Sequence, residues 1–240
     1  MITPTWTAPD TIGALSTTRE NGVSKAPFNS FNVGFHVGDD EQAVQANRTA
    51  LTRQLPNPAV WLNQVHSADV VVVDERVDIH SVSSADALYT RLKQQPLAIM
   101  TADCLPVLLC STSGDEVAAV HGGWRGLAKG ILANTLSKFK AEPADIIAWF
   151  GPAIGALQFE VGQDVKDCFC DQNQIHQHAF TAQGEKYLAD IYLLAKQQLS
   201  QLGVVSIYGA EYCTYSQPSL FFSYRRDGQT GRMASLIWRK

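Results

Sequence analysis

The sequence predicts an α/β (α+β) fold in which mixed β-sheets pack together and helices lie on the outside. Strand-like and helix-like segments alternate only partly along the chain, which favours mixed sheets over a purely parallel one. The 240 residues are 45% hydrophobic and 18% charged, an ordinary globular composition that supplies a large core. No linker, internal repeat or low-complexity tract divides the chain, so we expect residues 1–240 to form one domain.

Charge and cysteine content narrow the functional classes. The net charge of −4 and the pI near 5.8 indicate no basic face, so we expect no nucleic-acid partner and no binding to anionic lipid. No apolar run reaches the roughly 18 residues of a membrane span. The five cysteines are an odd number, and the first residues lack the basic and apolar blocks of a signal peptide. Both features favour reduced thiols and a cytoplasmic protein.

The N-terminal segment predicts a strand, a long loop and a helix. Residues 11–18 alternate loosely, as a strand does, and residues 19–38 are rich in Gly, Asn, Ser and Pro. A loop of this length inside a compact domain is usually functional. Asp39 or Asp40 is expected to cap the helix that follows.

An arginine lies on the apolar stripe of this predicted helix. Arg48 shares a face with Val44, Leu51 and Leu55 through their 4-3-4 spacing. Such an arginine needs a partner, and two interpretations stand. Either a buried ion pair or backbone carbonyls hold the guanidinium, or it faces a pocket and binds an anion.

The rest of the chain predicts further strands and helices. Residues 59–66 and 69–74 form two strands, which places Gln64 and His66 on one face, and the segment 75–95 is loop-like apart from a short strand at 86–89. The stretch 97–128 is predicted to run strand, tight loop, strand, turn, strand and the start of a helix. Further helices are predicted at 126–140, 163–170 and 185–202, and further strands at 145–150, 204–208, 219–224 and 233–238, the last two joined by a hairpin turn.

Three possible metal ligands lie at the ends of these β segments. Cys104 follows the apolar run 97–100, His121 follows the run 117–120, and His66 ends a strand-like run upstream. Two imidazoles and one thiolate are the ligand set of a catalytic zinc site that keeps one position open. Their separations match no short zinc signature, so the position at strand ends beside glycine-rich backbone carries the prediction.

A Cys/His hydrolase would use the same residues. Cys104 would be the nucleophile, with His121 or His66 as its base. This alternative also needs a carboxylate that orients the histidine, as in a catalytic triad. Asp86 and Asp103 are weak candidates for that role.

A rival metal site is suggested by a second cluster of ligand-type residues. Its members are Cys168, Cys170, His176 and His178. The C-x-C and H-x-H spacings place partners on opposite sides of a helix, unlike the usual zinc signatures. Chance clustering in a surface segment is the simpler interpretation.

A series of motifs then spans nearly the whole chain in one order. They are STTRENGVS, SFNVGFHVGDD, NR at 47–48, NQVH at 63–66, TADCLPVLL at 101–109, HGGWRG at 121–126, GPAIG at 151–155, FEVG at 159–162 and FFSYRRDGQTGRMASLIW at 221–238. With these motifs the chain resembles the YfiH-type family of bacterial laccase-domain, or polyphenol-oxidase-like, proteins. Departures are small: Gly122 stands where the family commonly has alanine, and Asn21-Gly22 where it usually has two glycines.

The resemblance implies both a metal centre and an activity. It implies a zinc ion held by the residues that match His66, Cys104 and His121, in a two-sheet α/β fold likened to Cys/His hydrolases. The implied reaction is phosphorolysis of adenosine, inosine or methylthioadenosine to base and ribose 1-phosphate, with adenosine deamination as well. The deaminase signature H-x-E with P-C-x-x-C is absent here. Some relatives are tied to peptidoglycan editing, which keeps hydrolysis of an amide or ester as the alternative.

An older label describes such proteins as copper polyphenol oxidases. A blue-copper centre alone takes two histidines and one cysteine. An oxygen-reducing copper cluster needs many more imidazoles than the six histidines of this chain supply. We therefore expect zinc rather than copper.

The remaining site residues follow from the implied reaction. Arg48 is expected to clamp the phosphate, with Arg125 or Arg225 as alternatives, and Asn32 and Gln64 are expected to meet the ribose. The candidate general acids or bases are Glu160 and Asp103, and the candidate purine-stacking residues are Phe28, Phe31 and Phe35. Structural roles are the simpler interpretation for the members of these last two groups.

Overall fold

The computed structural model describes residues 1–76 and 81–240, so residues 77–80 of the predicted loop lie outside the described residues. Its layers are a six-stranded sheet, a three-stranded sheet against one face, and helices against the other. The strands are β1 (Ile12–Ser16), β2 (Leu62–Asn63), β3 (Val70–Val73), β4 (Ser83–Ser84), β5 (Ala87–Thr90), β6 (Leu97–Thr101), β7 (Leu105–Ser111), β8 (Val117–Gly122), β9 (Ile146–Phe150), β10 (Glu160–Val161), β11 (Phe180–Gln183), β12 (Lys186–Ala189), β13 (Ser206–Gly209) and β14 (Met233–Arg239). The α-helices are α1 (Glu41–Thr52), α2 (Trp124–Ala128), α3 (Ile131–Leu136), α4 (Gln163–Cys170), α5 (Ile191–Gln201) and α6 (Tyr224–Asp227).

The six-stranded sheet has the order β13-β9-β7-β8-β5-β3. Its outer pairs β13/β9 and β3/β5 are parallel, and its inner pairs are antiparallel. Along β7, Val107 and Leu109 pack with the helical layer, whereas Leu108 and Cys110 pack with the second sheet. Because both faces are covered, β7 is a continuous apolar run rather than an alternating one.

The three-stranded sheet, in the order β1-β14-β6, has two buried faces as well. Ile99 and Ile237 pack against the six-stranded sheet. On the other face, Met100 and Leu236 pack with Leu51 of α1. Mixed sheets packed on each other with helices outside are the fold class that the sequence predicts, and the structure confirms it.

One buried amide makes several of the contacts that fasten the loop at 19–38 to α1. Asn47 Oδ1 accepts from the Val23 N–H at 3.0 Å, and Nδ2 lies 3.0 Å from Ser24 Oγ, 3.1 Å from the Ser30 carbonyl and 2.9 Å from the Asn32 carbonyl. The long loop is therefore ordered by side-chain contacts rather than by a sheet.

Replacing Asn47 with alanine is expected to lower the free energy of unfolding by roughly 3 kcal/mol, because several buried backbone groups of the loop lose their partner. Urea denaturation measures this change. Gln45→Ala, on the exposed side of the same helix, is the matched control and is expected to stay within about 0.5 kcal/mol of the parent. Equal unfolding midpoints for the two variants would contradict this role of Asn47.

Two of the predicted helices differ in extent from the structure. The helix predicted at 126–140 is divided into α2 and α3, because Gly130 adopts a left-handed conformation with φ of 84°. The helix predicted at 185–202 begins only at Ile191, where the Asp190 side chain caps it. The preceding residues form the β11/β12 hairpin, which turns at Gly184 with φ of 60°.

The predicted strand at 219–224 is absent from the structure. The Ser223 side chain instead accepts a hydrogen bond from the Arg226 N–H and begins the short helix α6. The predicted hairpin therefore does not form, and β14 pairs with β1 and β6. Among the described residues, the helices all fall short of the length and hydrophobicity that a membrane crossing requires.

Candidate metal centre and cavity

The structure brings the three predicted ligands together at one end of the two sheets. Cys104 lies in the corner where the chain passes from β6 in one sheet to β7 in the other, and His121 lies near the end of β8. The predicted strand at 59–66 is shortened to β2, and His66 lies beyond it with φ of 58°. His66 therefore reaches the site through a left-handed loop conformation and not through strand alternation.

The distances among these side chains suit a single metal ion. One ligand atom from each of the three residues lies within 4.8 Å of the others, and Cys104 Sγ is 3.8 Å from His66 Nε2. Tetrahedral zinc with ordinary bond lengths separates sulfur and nitrogen ligands by about 3.6 Å. The donor set and its spacing thus fit zinc with small adjustments.

The electrostatics also favour a metal-binding thiolate. Burial raises the pKa of the Cys104 thiol, but the positive charge and hydrogen bonding of His121, together with those of His66, outweigh it and lower the pKa to about 6. In contrast, burial alone raises the pKa of Cys110 to about 12. Cys104 is therefore the thiol prepared to act as a ligand or a nucleophile.

A buried carboxylate organises two of the ligands. Asp86 Oδ1 lies 2.7 Å from His121 Nδ1 and accepts from the His66 N–H at 3.0 Å, while Oδ2 accepts from the N–H groups of Val65 at 3.2 Å and Ser67 at 2.6 Å. The Asp86 carbonyl also accepts from the His121 N–H at 2.7 Å. A proton on Nδ1 facing Asp86 leaves Nε2 of His121 as the ligand atom.

The pKa of Asp86 agrees with an ionised carboxylate in this position. Burial raises this pKa, but the hydrogen bond with His121, the hydrogen bonds from Ser67 and the positive charge of His121 lower it to about 2. Asp86 is only a weak candidate in the sequence, where nothing shows that β5 lies beside β8. The structure makes it the acceptor that fixes both the His121 ring and the His66 loop.

Gly123 provides the space beside the ligands. A Cβ atom at this position would lie 2.8 Å from His66 Cδ2 and 3.3 Å from Cys104 Sγ. The backbone of Gly123, with φ of −65° and ψ of 150°, suits any residue. The glycine is therefore needed for close approach and not for its conformation.

Gly123→Ala is expected to lower zinc affinity by about tenfold, because the added methyl group displaces the His66 imidazole. Competition with a fluorescent zinc chelator measures the affinity. The melting temperature of the metal-free protein is the control, and it should change little. An unchanged zinc affinity in a folded variant would contradict the close fit.

The three donors line a cavity of about 620 Å³. This volume lies in the range of small-molecule sites. Its apolar lining residues are Met100, Trp124, Ile154, Phe159 and Ile191. Its polar lining residues include His36, Gln64, Asp103, Arg125, Arg225 and Arg232. The cavity therefore offers a ligand both apolar contacts and positive charge.

A second, more open depression of about 690 Å³ lies on the outer face of α1. It is lined by residues that include Phe35, Glu41 and Arg53. It contains none of the metal donors, so we place the chemistry in the smaller cavity.

The three predicted substrate-binding residues have different positions. Gln64 lines the cavity, and its amide pairs with both backbone groups of Met100 at 2.8 Å. Asn32 is fully buried outside the cavity lining, where it accepts from the N–H groups of Gly34 and Arg232. Asn32 thus reaches the cavity only through Arg232.

Arg48 is also outside the residues that line the cavity. Its guanidinium lies between the rings of Phe35 and Trp61, at 4.6 and 3.9 Å from their centroids, and its Nε donates to the Val33 carbonyl at 2.8 Å. Burial lowers the pKa of Arg48 to about 10. Its partners are therefore a backbone carbonyl, two aromatic rings and the Met100 thioether, whose Sδ lies 3.5 Å from Nη2, which corresponds to the structural interpretation of the apolar stripe.

The other predicted residues have mainly structural contacts. Asp103 lines the cavity, but its carboxylate accepts from Thr214 Oγ1 at 2.6 Å and from the Arg225 N–H at 2.7 Å. Glu160 is exposed and pairs with Lys186 at 2.5 Å. Of the three loop phenylalanines, Phe28 and Phe31 are buried, and Phe35 is exposed beside Arg48.

The rival metal cluster does not assemble. Within residues 1–76 and 81–240, the group of ligand side chains close enough to share an ion is that of His66, Cys104 and His121. His176 is buried, with Nδ1 2.8 Å from Gln197 Oε1. Cys168 is exposed on α4.

Comparison with known proteins identifies the family of this chain. Residues 13–240 match the family model described as multi-copper polyphenol oxidoreductase laccase. The chain is 49% identical to the purine nucleoside phosphorylase of Haemophilus influenzae, covering 99% of this chain and 98% of that protein. It is 48% identical to the purine nucleoside phosphorylase YfiH of Escherichia coli K12, with the same two coverages.

A solved structure shows the same fold. The crystal structure of a Neisseria meningitidis protein superposes with a TM-score of 0.95 at 45% identity, covering 100% of this chain and 98% of that one. Relatives this similar, matched over nearly their full length, establish the family. The chain therefore belongs to the laccase-domain family that includes the YfiH purine nucleoside phosphorylases.

Proposed function

We propose that this protein is a zinc-dependent purine nucleoside phosphorylase that acts on adenosine, inosine and methylthioadenosine and also deaminates adenosine. The observation that carries the proposal is the position of the three metal donors in a cavity that is also lined by apolar side chains and by three arginines. The curated relatives named purine nucleoside phosphorylases support an enzyme of this kind.

The chain's own residues account for binding and orientation. A neutral purine nucleoside packs its base against apolar lining residues such as Phe159 and Trp124. Phosphate is held by an arginine that lines the cavity. Phosphorolysis breaks the glycosidic C–N bond and forms a C–O bond from phosphate to the same ribose carbon, and the base leaves with a proton. Zinc, when bound by His66, Cys104 and His121, supplies a Lewis acid at the cavity wall. Asp86 holds His121 for this task.

A second candidate is a Cys/His hydrolase acting on an amide or ester such as a peptidoglycan precursor. One observation favours it. Cys104, His121 and Asp86 contact each other in that order, as the nucleophile, base and orienting carboxylate of a triad do. The same carboxylate–histidine contact orients zinc ligands, so it serves either chemistry. The second histidine beside Cys104 favours the metal.

The two candidates differ in their response to zinc removal. Purified protein is assayed for release of base from adenosine and inosine with and without phosphate, beside its zinc content. The proposal expects phosphate-dependent release that is lost on chelation and regained with zinc. Absence of base release from zinc-loaded protein would refute it. Hydrolysis that persists in metal-free protein and is blocked by an electrophile on Cys104 would establish the hydrolase.

We also propose a cytoplasmic location and small-molecule partners. All five cysteines are free thiols, as expected in a reducing compartment. The net charge of −4 is unfavourable for nucleic acid or anionic lipid. Cell fractionation tests the location.

A further inference from the structure

We propose that Arg232 binds the phosphate co-substrate, and that Arg48 lies outside the phosphate site. The inference deepens the proposed phosphorylase function and rests on it. It identifies the residue that recognises a tetrahedral oxyanion beside the metal donors.

Hydrogen bonds and close packing against a glycine fix the position of Arg232. Its Nη1 donates to the carbonyls of Thr230 and Gly231, each at 3.0 Å, and its backbone N–H donates to Asn32 Oδ1 at 2.8 Å. A Cβ atom on Gly34 would lie 2.9 Å from Arg232 Cγ, so the absence of a side chain there makes room for the arginine. The guanidinium is thereby oriented before any ligand binds.

The remaining donors of Arg232 have no protein acceptor. Among the described residues, no hydrogen bond is made by its Nε or Nη2. The ion pairs within those residues include Arg76, Arg91 and Arg226 but not Arg232. A half-buried guanidinium without a carboxylate partner is costly, and an anionic ligand offsets that cost.

Arg232 lies in the cavity that the metal donors line. It lines the same cavity as Cys104, and the charges of Cys104 and Asp103 act on it. Burial lowers the pKa of Arg232, and these two groups oppose the shift. An anion held there lies in the cavity that contains the metal donors.

The neighbouring arginines are less suited to this role. Arg225 is exposed, and its Nη1 donates to the carbonyls of Gln158 and Glu160. Arg125 is exposed and stacks on Trp124 at 4.3 Å. Arg232 alone among the arginines that line the described cavity combines partial burial with a fixed orientation and open donors.

The chemistry of the open donors indicates phosphate rather than nucleoside. A guanidinium presents parallel N–H groups that match two oxygens of one phosphate, and its charge balances the anion. The nucleoside is neutral and offers no such group. Deamination of adenosine consumes water and not phosphate, so the two activities separate the contribution of Arg232.

The test compares Arg232→Met and Arg232→Lys with Arg48→Met in the zinc-loaded protein. The Michaelis constant for phosphate in inosine phosphorolysis is expected to rise about 10- to 100-fold in Arg232→Met, the loss expected for charge-assisted hydrogen bonds. Arg232→Lys is expected to show a smaller rise in this constant. In Arg232→Met, adenosine deamination is expected to fall less than phosphorolysis does at limiting phosphate. Arg53→Met, at an exposed arginine that follows the last residue of α1, is the control.

Several outcomes would overturn the inference. Unchanged phosphate dependence in both folded Arg232 variants would do so, as would a rise confined to Arg48→Met. Calorimetric titration of zinc-loaded protein with inorganic phosphate separates this failure from failure of the proposed function. Binding that weakens in Arg232→Met supports the site even if no nucleoside is cleaved. Parent protein that cleaves nucleosides with phosphate, alongside an equally effective Arg232→Met, leaves the function intact and removes the site.

Discussion

Replacing Asp86 with asparagine is expected to lower zinc affinity by about 10- to 100-fold, the range found when a group supporting a metal ligand is removed. The carboxylate accepts from the His121 ring and from three consecutive backbone N–H groups, those of Val65, His66 and Ser67. One of the three ligands is therefore oriented by its side chain and another by its backbone.

Asparagine has the same shape but cannot satisfy this arrangement. If its oxygen faces His121, its NH₂ group faces the N–H groups of Val65 and Ser67. If the amide is turned over, the NH₂ group faces His121 Nδ1. Either orientation leaves buried donors without acceptors, at a cost of about 1–3 kcal/mol each. The thermal stability of the metal-free protein should therefore fall as well.

The visible spectrum of cobalt-substituted protein measures the coordination independently of catalysis. A weaker or altered cobalt band is expected in Asp86→Asn, and nitrogen NMR of His121 should show loss of the Nδ1-protonated tautomer. Asp74→Asn, which alters an exposed carboxylate paired with Arg76, is the matched control. Parent-like metal affinity together with a parent-like tautomer would show that Asp86 only packs.

The Cys104→Ala variant is expected to lose more than about 100-fold in zinc affinity, because it removes a ligand itself rather than a group behind one. The proposed phosphorolysis and deamination should fall to background together, since the proposal assigns both reactions to the same centre. Cys104 is the candidate ligand whose thiol pKa is lowered by the two histidines.

Cys168→Ala supplies the control for Cys104→Ala. Cys168 is exposed on α4, away from the metal donors, and belongs to the rival cluster that the structure does not assemble. Metal analysis by mass spectrometry should find parent-like zinc in Cys168→Ala. If zinc were instead lost in Cys168→Ala and kept in Cys104→Ala, the metal would have to be assigned to the other cluster.

The positions of Cys104 and His121 could be predicted because they depend on local pattern, whereas His66 lies in a left-handed loop conformation beyond the shortened strand β2. Cys104 and His121 follow short apolar runs, and in the fold one lies in the corner after β6 and the other near the end of β8. The contact of Asp86 with His121 depends on the pairing of β5 with β8, a long-range register that no single segment encodes. The sequence therefore contains Asp86 as a candidate without indicating its role.

The anion-binding role proposed for Arg232 depends on tertiary structure in the same way. The sequence draws attention to Arg48, because an arginine on an apolar helix stripe is conspicuous. In the structure, the rings of Phe35 and Trp61 cover it. No comparable pattern in the sequence marks Arg232. The contacts that position it for the proposed role are with Asn32 and Gly34, about two hundred positions earlier in the chain.

The helix predicted at 185–202 begins too early in the chain, and the reason is local. Leu188 continues the apolar spacing of Ile191 and the rest of α5 towards the N-terminus, although Leu188 belongs to the strand β12. The turn at Gly184 and the cap at Asp190 are the signals that separate hairpin from helix. Capping residues thus define this boundary better than hydrophobic spacing does.

The most direct test of the zinc centre is a crystal structure of the purified protein with diffraction data collected on both sides of the zinc absorption edge. The account predicts one anomalous peak, bonded to Nε2 of His66, Nε2 of His121 and Sγ of Cys104 at about 2.0–2.3 Å. It also predicts Nδ1 of His121 on Asp86. A zinc-replete protein with its peak elsewhere, or with these three side chains unbonded to any metal, would contradict the account.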